Sequence, residues 1–220
     1  MSRWDDEYRS RLRPIDEAIQ CIQSGYDVVV GQCASEPQAT MDRLHILAPK
    51  VRGVRVFSVL TMKPYEFYMK PEMREHFELA SWFHAPGSRA AIKAGAGTVT
   101  YVPNMLHRAA TDRIRARPPE VFIGTCTPPD RHGYVSLSLG ITYEKDILEA
   151  AKYVILEVNP RLPLTFGDTQ LRVDQATYFV EAHYDVPSLP EPQPSETDLL
   201  IGSHIAELVD DGATLQLGIG

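Results

Sequence analysis

Short apolar segments rich in β-branched residues recur along this chain, separated by stretches with helical spacing or turn residues. The segment 153–158 lacks the alternation of polar and apolar positions typical of a half-exposed strand, so it predicts a strand buried on both faces. Asn159 and Pro160 end it. Comparable segments predict strands at residues 26–30, 54–60, 79–84, 98–102, 120–127 and 177–182.

Amphipathic spacing predicts helices between these strands. Pro14 can open a helix over 14–24, with Gly25 in the left-handed closing position. Thr142 can cap another that leads into the strand at 153–158. Further helices are predicted at 37–47 and 88–94, the second capped by Ser88. This alternation predicts an α/β fold with an open, mostly parallel sheet and helices on both faces.

A proline-rich segment at 187–194 predicts a semi-rigid linker, because prolines lack the N–H that a sheet needs. Beyond it, Ser195 begins a capping-box pattern, followed by an amphipathic helix and a predicted strand at 213–219. We therefore predict a domain at 1–186, the linker, and the truncated start of a second domain at 195–220. The same order of helix, glycine, strand and glycine occurs at the start of the chain. Because this order is common in α/β proteins, the sequence leaves open whether the two domains arose by duplication.

Composition excludes several function classes. The 220 residues carry a net charge of −7, which argues against a nucleic-acid surface. Arg108, Arg113, Arg115 and Arg117 cluster near one predicted helix and are interpreted as a solvated face rather than a phosphate site. Three cysteines and scattered histidines form no metal-binding spacing. Polar residues 1–13 and the absence of a membrane-length apolar segment predict cytoplasmic residence without membrane contact.

Two glycine-containing loops are candidate binding sites, since ligands of parallel sheets collect at the carboxyl ends of strands. In the loop 31–37, Gly31 permits close approach, Gln32 offers an amide and Glu36 a carboxylate. The alternative is an ordinary strand-to-helix turn with Glu36 stabilised by a helix dipole. Residues 216–220 form the second loop; their Gly-x-Gly is a weak signal and lacks the third glycine of a dinucleotide fingerprint.

An ordered series of motifs resembles the acetyl-CoA hydrolase/transferase family, especially its 4-hydroxybutyrate and butyrate:acetate CoA-transferases. The motifs are Pro128-Pro129-Asp130, His132-Gly133-Tyr134, Ser138-Leu139-Gly140, Ala150-Ala151-Lys152, Glu157-Val158-Asn159-Pro160 and Gly167-Asp168. The resemblance implies two similar open α/β halves around a central active site. It also implies that Gly31, Gln32, Glu36, Gln216, Gly218 and Gly220 face substrate or CoA.

The reaction implied by the resemblance moves CoA from an acyl-CoA to a small carboxylic acid. A glutamate attacks the thioester, passes through an anhydride and becomes a glutamyl-CoA thioester. In the family that glutamate lies beyond the position of Gly220, so a C-terminal domain is expected as partner. The coenzyme A thioester is then a substrate, and no permanently bound cofactor is expected. We also expect a homo-oligomer.

We do not assign the role of that nucleophile to Glu36, Glu144 or Glu157. Glu144 lies in the first turn of a predicted helix and Glu157 lies in a predicted strand. Only Glu36 is placed where it could touch substrate. We predict no turnover by the 220-residue chain alone. An acyl-CoA hydrolase of the same family, with water as acceptor, is one alternative. A non-catalytic α/β module that binds a sugar phosphate is another.

Overall fold

A computed structural model of the protein describes residues 3–188 and 193–218. By its internal contacts the chain divides into two compact units, Met1–Pro187 and Ser188–Gly220. The two units are described separately below. Half of the predicted proline-rich linker, residues 189–192, lies outside the described residues.

The first unit is built on a seven-stranded sheet in which every neighbouring pair is parallel. Its order is β4-β3-β2-β1-β5-β7-β9, and β6 and β8 form a separate antiparallel pair. The strands are β1 Asp27–Val30, β2 Val54–Ser58, β3 Phe77–Ser81, β4 Val99–Tyr101, β5 Val121–Cys126, β6 Tyr134–Ser136, β7 Tyr153–Val158, β8 Gln170–Arg172 and β9 Tyr178–Glu181. The predicted α/β fold with a mostly parallel sheet is confirmed.

Helices lie between the strands, and several are shorter than the sequence predicts. They are α1 Arg3–Arg11, α2 Ile15–Ala18, α3 Gln38–Met41, α4 Glu66–Met69, α5 Pro86–Lys93, α6 Ala109–Ala116 and α7 Glu144–Ala150. The predicted helices at 14–24 and 37–47 each divide into one α-helical turn and a 3₁₀ turn, Ile19–Cys21 and Leu44–Leu47. Each of these segments therefore forms two short helical turns instead of one continuous α-helix.

Two hydrophobic cores cover the two faces of the sheet. In β1, Val28 and Val30 belong to one core and Val29 to the other, because successive side chains of a strand point to opposite faces. All four β1 residues are buried, as expected of a central parallel strand. The prediction of helices on both faces is thereby confirmed.

Several local features differ from the sequence prediction. Helix α1 and the β6/β8 pair form in segments that carry no apolar pattern. Helix α5 begins at Pro86, with Ala85 rather than Ser88 at its N-cap, and α7 has Tyr143 rather than Thr142 at its N-cap. Arg113 does not belong to a solvated face: it is 7% exposed and pairs with the buried Asp27.

The second unit contains helix α8, Glu196–Ala206, which begins with the predicted capping box between Ser195 and Asp198. Residues 213–218 do not form the predicted strand, and Ile219 lies outside the described residues. A strand needs a neighbour to accept its backbone hydrogen bonds, and the described part of this unit contains none. The unit leaves large apolar side chains exposed, including Leu199, Leu200, Ile205, Leu208, Leu215 and Leu217.

Candidate functional site

The sheet of the first unit reverses its strand order beside β1. From β1 the chain builds outward to β4 on one side, then returns to place β5 on the other side of β1. Open α/β sheets bind ligands outside the carboxyl ends of strands at such a switch point. The candidate loop 31–37 directly follows β1 and lies at this point, as its position in the sequence suggested.

Position 31 requires glycine because the backbone of Ser35 approaches it closely within the loop. A Cβ added there would lie 2.6 Å from the carbonyl oxygen of Ser35. Cys33 adopts φ 51° and Ser138 adopts φ 57°, conformations that side chains rarely take. A Cβ at Gly140, two residues after Ser138, would lie 2.9 Å from Ser35 Oγ. Two strained turns therefore pack against each other at the switch point, and such strain is common at functional sites.

Replacing Gly31 by alanine is expected to lower the free energy of unfolding by about 1–3 kcal/mol, because the new methyl group has to displace backbone rather than a flexible side chain. Urea denaturation measures this. The control is Gly202→Ala, at a position with no heavy atom within 4 Å of the added Cβ. A Gly31→Ala protein as stable as the parent would contradict the close approach.

Hydrogen bonds tie the backbone of the loop 31–37 to its surroundings. The N–H of Gly31 donates to Ile123, that of Gln32 to the Glu144 carboxylate at 3.3 Å, and that of Cys33 to Leu60. The N–H groups of Ser35 and Glu36 donate within the loop. The loop thus presents a fixed surface, and these five donors are not free to hold an anion.

The carboxyl group of Glu36 is buried beneath the loop. Its Oε2 accepts hydrogen bonds from the Tyr65 hydroxyl at 2.5 Å and the Met62 N–H at 3.0 Å. Its Oε1 is buried without a hydrogen-bond partner among the described residues. Burial raises the pKa of Glu36 to about 8, outweighing the hydrogen bonds from Tyr65 and Met62, which lower it. Glu36 is therefore mostly protonated at neutral pH and joins the loop 31–37 to residues 62–65.

Glu157 is a second buried acid beside the same loop. Its oxygens accept hydrogen bonds from the N–H and hydroxyl of Thr40, both at 2.7 Å, and from the Tyr184 hydroxyl at 2.5 Å. Tyr184 also contacts the carbonyl oxygen of Glu36, at 3.1 Å. Burial raises the pKa of Glu157, against the hydrogen bonds, which lower it. Glu157 thus holds the start of α3, which follows the loop.

Glu144 completes a group of three buried carboxyl groups around the loop. It accepts hydrogen bonds from the N–H groups of Gln32 and Tyr143, and burial raises its pKa. In the sequence the only sign of this arrangement is Glu157, an acid inside an otherwise apolar strand. The contacts of Glu144, Tyr65 and Tyr184 depend on the folding of distant segments, so no local pattern predicts them.

The predicted site residues fall into two groups. Gly31, Gln32 and Glu36 lie together at the switch point, with Gln32 9% exposed and Glu36 buried. Gln216 and Gly218 are exposed residues of the second unit. Gly220 lies outside the described residues. Substrate contact by any of these residues stays a prediction.

Several cavities open near the carboxyl ends of the strands. One, of 460 Å³, lies beyond β5, β7 and β9 and is lined by Tyr8, Pro128, Pro160, Glu181 and His183, among others. A second, of 160 Å³, lies beyond β2, β3 and β4, and a third, of 220 Å³, shares Trp82 and Asn104 with it and is also lined by Asp112 and Arg113. In the described residues, acidic, histidine and cysteine side chains form no cluster that could hold a metal ion, and no helix is long and apolar enough to cross a bilayer.

Fold and site together define an open-sheet α/β protein whose candidate ligand site lies at the strand-order reversal. Residues 1–190 match the profile of the acetyl-CoA hydrolase/transferase N-terminal domain, and the chain belongs to that family. The 4-hydroxybutyrate coenzyme A transferase of Clostridium kluyveri is 30% identical over 99% of the chain and 50% of its own length. The succinyl-CoA:cyclohexane-1-carboxylate CoA transferase of Geobacter metallireducens is 28% identical over 99% of the chain and 49% of its length.

Solved structures agree with this assignment. The crystal structure of RipA from Yersinia pestis matches with a TM-score of 0.90 and 28% identity, covering all of this chain and 53% of RipA. The chain thus spans about half the length of the relatives it matches. The resemblance drawn from the sequence motifs is confirmed at the level of the family.

Proposed function

We propose that this chain forms the N-terminal part of an enzyme that transfers CoA from an acyl-CoA to a small carboxylic acid. The observation that carries the proposal is the rigid loop 31–37 at the switch point of a sheet that matches the family over its whole extent. Two relatives with this similarity along the chain are themselves named as CoA transferases.

In the proposed reaction a glutamate of a second domain supplies the nucleophile. Its carboxylate attacks the thioester carbonyl and expels CoA thiolate, leaving an acyl-glutamyl anhydride. The thiolate attacks the glutamyl carbonyl, which releases the first carboxylic acid and leaves a glutamyl-CoA thioester. The incoming carboxylate then repeats these steps in reverse order and leaves as the new acyl-CoA. The hydrolase alternative differs only in that water replaces the incoming carboxylate.

The role proposed for this chain is to shape one wall of that site. Cys33 is partly exposed at its surface and Gln32 is nearly buried, whereas buried Glu36, Glu144 and Glu157 hold the wall in place through the hydrogen bonds described above. A wall fixed in advance positions two reactants without ordering the loop at each turnover. Since Glu36 contacts no open surface, we assign it a positioning role rather than that of nucleophile.

The first test is a CoA-exchange assay with acyl-CoA, acetate and the purified 220-residue chain. We expect no exchange, because the nucleophile is supplied from elsewhere. Exchange at ordinary enzymatic rates that Glu36→Ala abolishes would overturn this assignment and place the reactive carboxylate in the loop 31–37.

The second test is isothermal titration of the same chain with acetyl-CoA and, separately, with a hexose phosphate. We expect heat of binding with the thioester alone. Binding of the sugar phosphate without binding of the thioester would replace the transferase proposal with that of a non-catalytic ligand-binding module.

A further inference from the structure

Tyr184 lies in the segment that leads from β9 to the proline-rich linker. This segment, residues 182–186, has no regular secondary structure and is called the linker root below. The Tyr184 carbonyl oxygen accepts a hydrogen bond from the Asn159 side chain at 2.9 Å. Beyond it, Asp185 and Arg161 form an exposed ion pair 3.7 Å apart, which contributes little to stability. Tyr184 is therefore the last firm attachment of the linker root in the described part of the chain.

The Tyr184 hydroxyl reaches both the end of the loop 31–37 and the start of α3. It lies 2.5 Å from Glu157 Oε1 and 3.1 Å from the carbonyl oxygen of Glu36. It also accepts a hydrogen bond from the N–H of Gln38 at 3.3 Å. These partners belong to the strand β7, the loop and the helix α3, so one hydroxyl connects three separate parts of the fold to the linker root.

These contacts can form in either protonation state of Glu157. The Tyr184 hydroxyl has one proton, which it donates to Glu157 when that group is ionised. When Glu157 is protonated, it can donate to the Tyr184 oxygen, and Tyr184 then donates to the carbonyl oxygen of Glu36. Burial, followed by the charge of Glu157, raises the pKa of Tyr184 above its usual value, so the hydroxyl keeps its proton. The attachment is therefore expected at acidic and at neutral pH.

We propose that Tyr184 is a positioning residue that couples the linker root to the loop 31–37, so that displacing either segment loosens the other. The two segments are distant in sequence, and the Tyr184 hydroxyl joins them directly. The loop then keeps its shape only while the linker root is in place. The description of the loop as a wall of the site rests on the proposed function, whereas the coupling itself does not.

Coupling between two segments is reciprocal, since whatever loosens the first must loosen the second by the same factor. A side chain that only adds to overall stability would instead affect all parts of the domain together. The test therefore changes each segment in turn. Each effect is measured in the other segment, at groups that the substituted side chain does not contact.

The first measurement follows the loop after a change in the linker root. Tyr184→Phe removes the hydroxyl and keeps the ring. We expect amide hydrogen exchange at Cys33, Ser35 and Glu36 to become about tenfold faster, which corresponds to roughly 1.4 kcal/mol. The N–H groups of these three residues donate to carbonyl oxygens and not to Tyr184, so a faster exchange would report movement of the loop itself.

The second measurement follows the linker root after a change beside the loop. Thr40→Val removes the hydroxyl that donates to Glu157 at 2.7 Å and keeps the shape of the side chain. We expect thermolysin, which cuts before apolar residues, to cut the bond 185–186 about fivefold faster, because cutting requires Tyr184 to leave its place. The mass of the N-terminal fragment identifies the cut.

Each variant has a matched control. Tyr178→Phe removes a hydroxyl from β9 that lies outside this set of contacts. Thr111→Val, on α6, removes an exposed hydrogen bond to the carbonyl oxygen of Arg108. We expect neither control to change exchange in the loop or cutting at the linker root. Exchange in Tyr184→Phe that rises as much in β5 as in the loop would indicate a loss of overall stability and overturn the coupling.

The connection to the proposed reaction is tested by adding acetyl-CoA during proteolysis. If the loop is a wall of the site, bound acetyl-CoA holds it in place and slows cutting at the linker root of the parent chain. The same addition should leave the cutting rate of Tyr184→Phe unchanged. Equally slowed cutting in both proteins would overturn the role assigned to Tyr184.

The outcomes separate this inference from the proposed function. Faster exchange in the loop of Tyr184→Phe, together with faster cutting of Thr40→Val, supports the coupling whatever reaction the protein catalyses. A change in one direction only, or in neither, overturns the coupling and leaves CoA transfer standing. If acetyl-CoA has no effect on the parent chain while both variants behave as expected, the coupling is supported and the loop's place in the site wall is overturned.

Discussion

Replacing Asp27 by alanine is expected to lower the free energy of unfolding by about 3–5 kcal/mol. Asp27 is buried in β1, accepts two hydrogen bonds from Arg55 at 2.8 Å and pairs with the buried Arg113. Arg113 also lies over the ring of Phe57, 4.5 Å from its centroid, so it cannot readily leave the core. Without Asp27 its charge would be buried and unpaired.

Urea denaturation of Asp27→Ala measures this loss. The control is Asp16→Ala, which breaks an exposed pair with Arg43 and is expected to cost less than about 1 kcal/mol. Similar losses for the two variants would indicate that the Asp27–Arg113 pair is open to water and not part of the core.

Replacing Glu36 by glutamine is expected to remove part of the pH dependence of stability. With a pKa of about 8 in the folded protein, Glu36 keeps a proton that the unfolded chain loses above about pH 4.5. Raising the pH therefore favours unfolding, by up to about 1.4 kcal/mol per pH unit, until the folded group ionises near pH 8. Glutamine has no such proton, so the variant should lose about 3 kcal/mol less between pH 4.5 and 7.

Denaturation curves at intervals from pH 4.5 to 8 measure this difference. Glu72→Gln, at an exposed position, is the control and should keep the slope of the parent protein. Parallel stability curves for Glu36→Gln and the parent would mean that Glu36 is ionised in the folded state and that the loop 31–37 is open to solvent.

The sheet was predictable because its strands are short, nearly continuous apolar segments rich in β-branched residues. Helix α1 was not, because it is polar along most of its length and is held by tertiary contacts such as that of Tyr8 with Phe179, whose ring centroids lie 5.0 Å apart. The strands β6 and β8 have three residues each and lie among turn residues. Their pairing therefore depends on where the neighbouring elements end.

The candidate site was predictable in its position but not in its chemistry. A glycine after a central strand marks Gly31, yet the sequence does not reveal that Glu36 points beneath the loop to Tyr65. It also gives no sign that Glu157 reaches Thr40 across more than a hundred residues of chain. The prediction for Arg113 was wrong for the same reason. Its position among other arginines suggests that it is exposed to solvent, whereas its partner, Asp27, lies in another element of the fold.

The central place of β1 has a consequence for synthesis on the ribosome. Among the strands of this sheet, β1 leaves the exit tunnel before its neighbours, and β2 follows soon after, but its other neighbour, β5, begins only at Val121. Until then the nascent chain exposes one row of unpaired backbone groups at what will become the middle of the sheet, a surface that promotes aggregation. Chaperones that shield strand edges would act most usefully on this protein in that interval, before β5 has emerged.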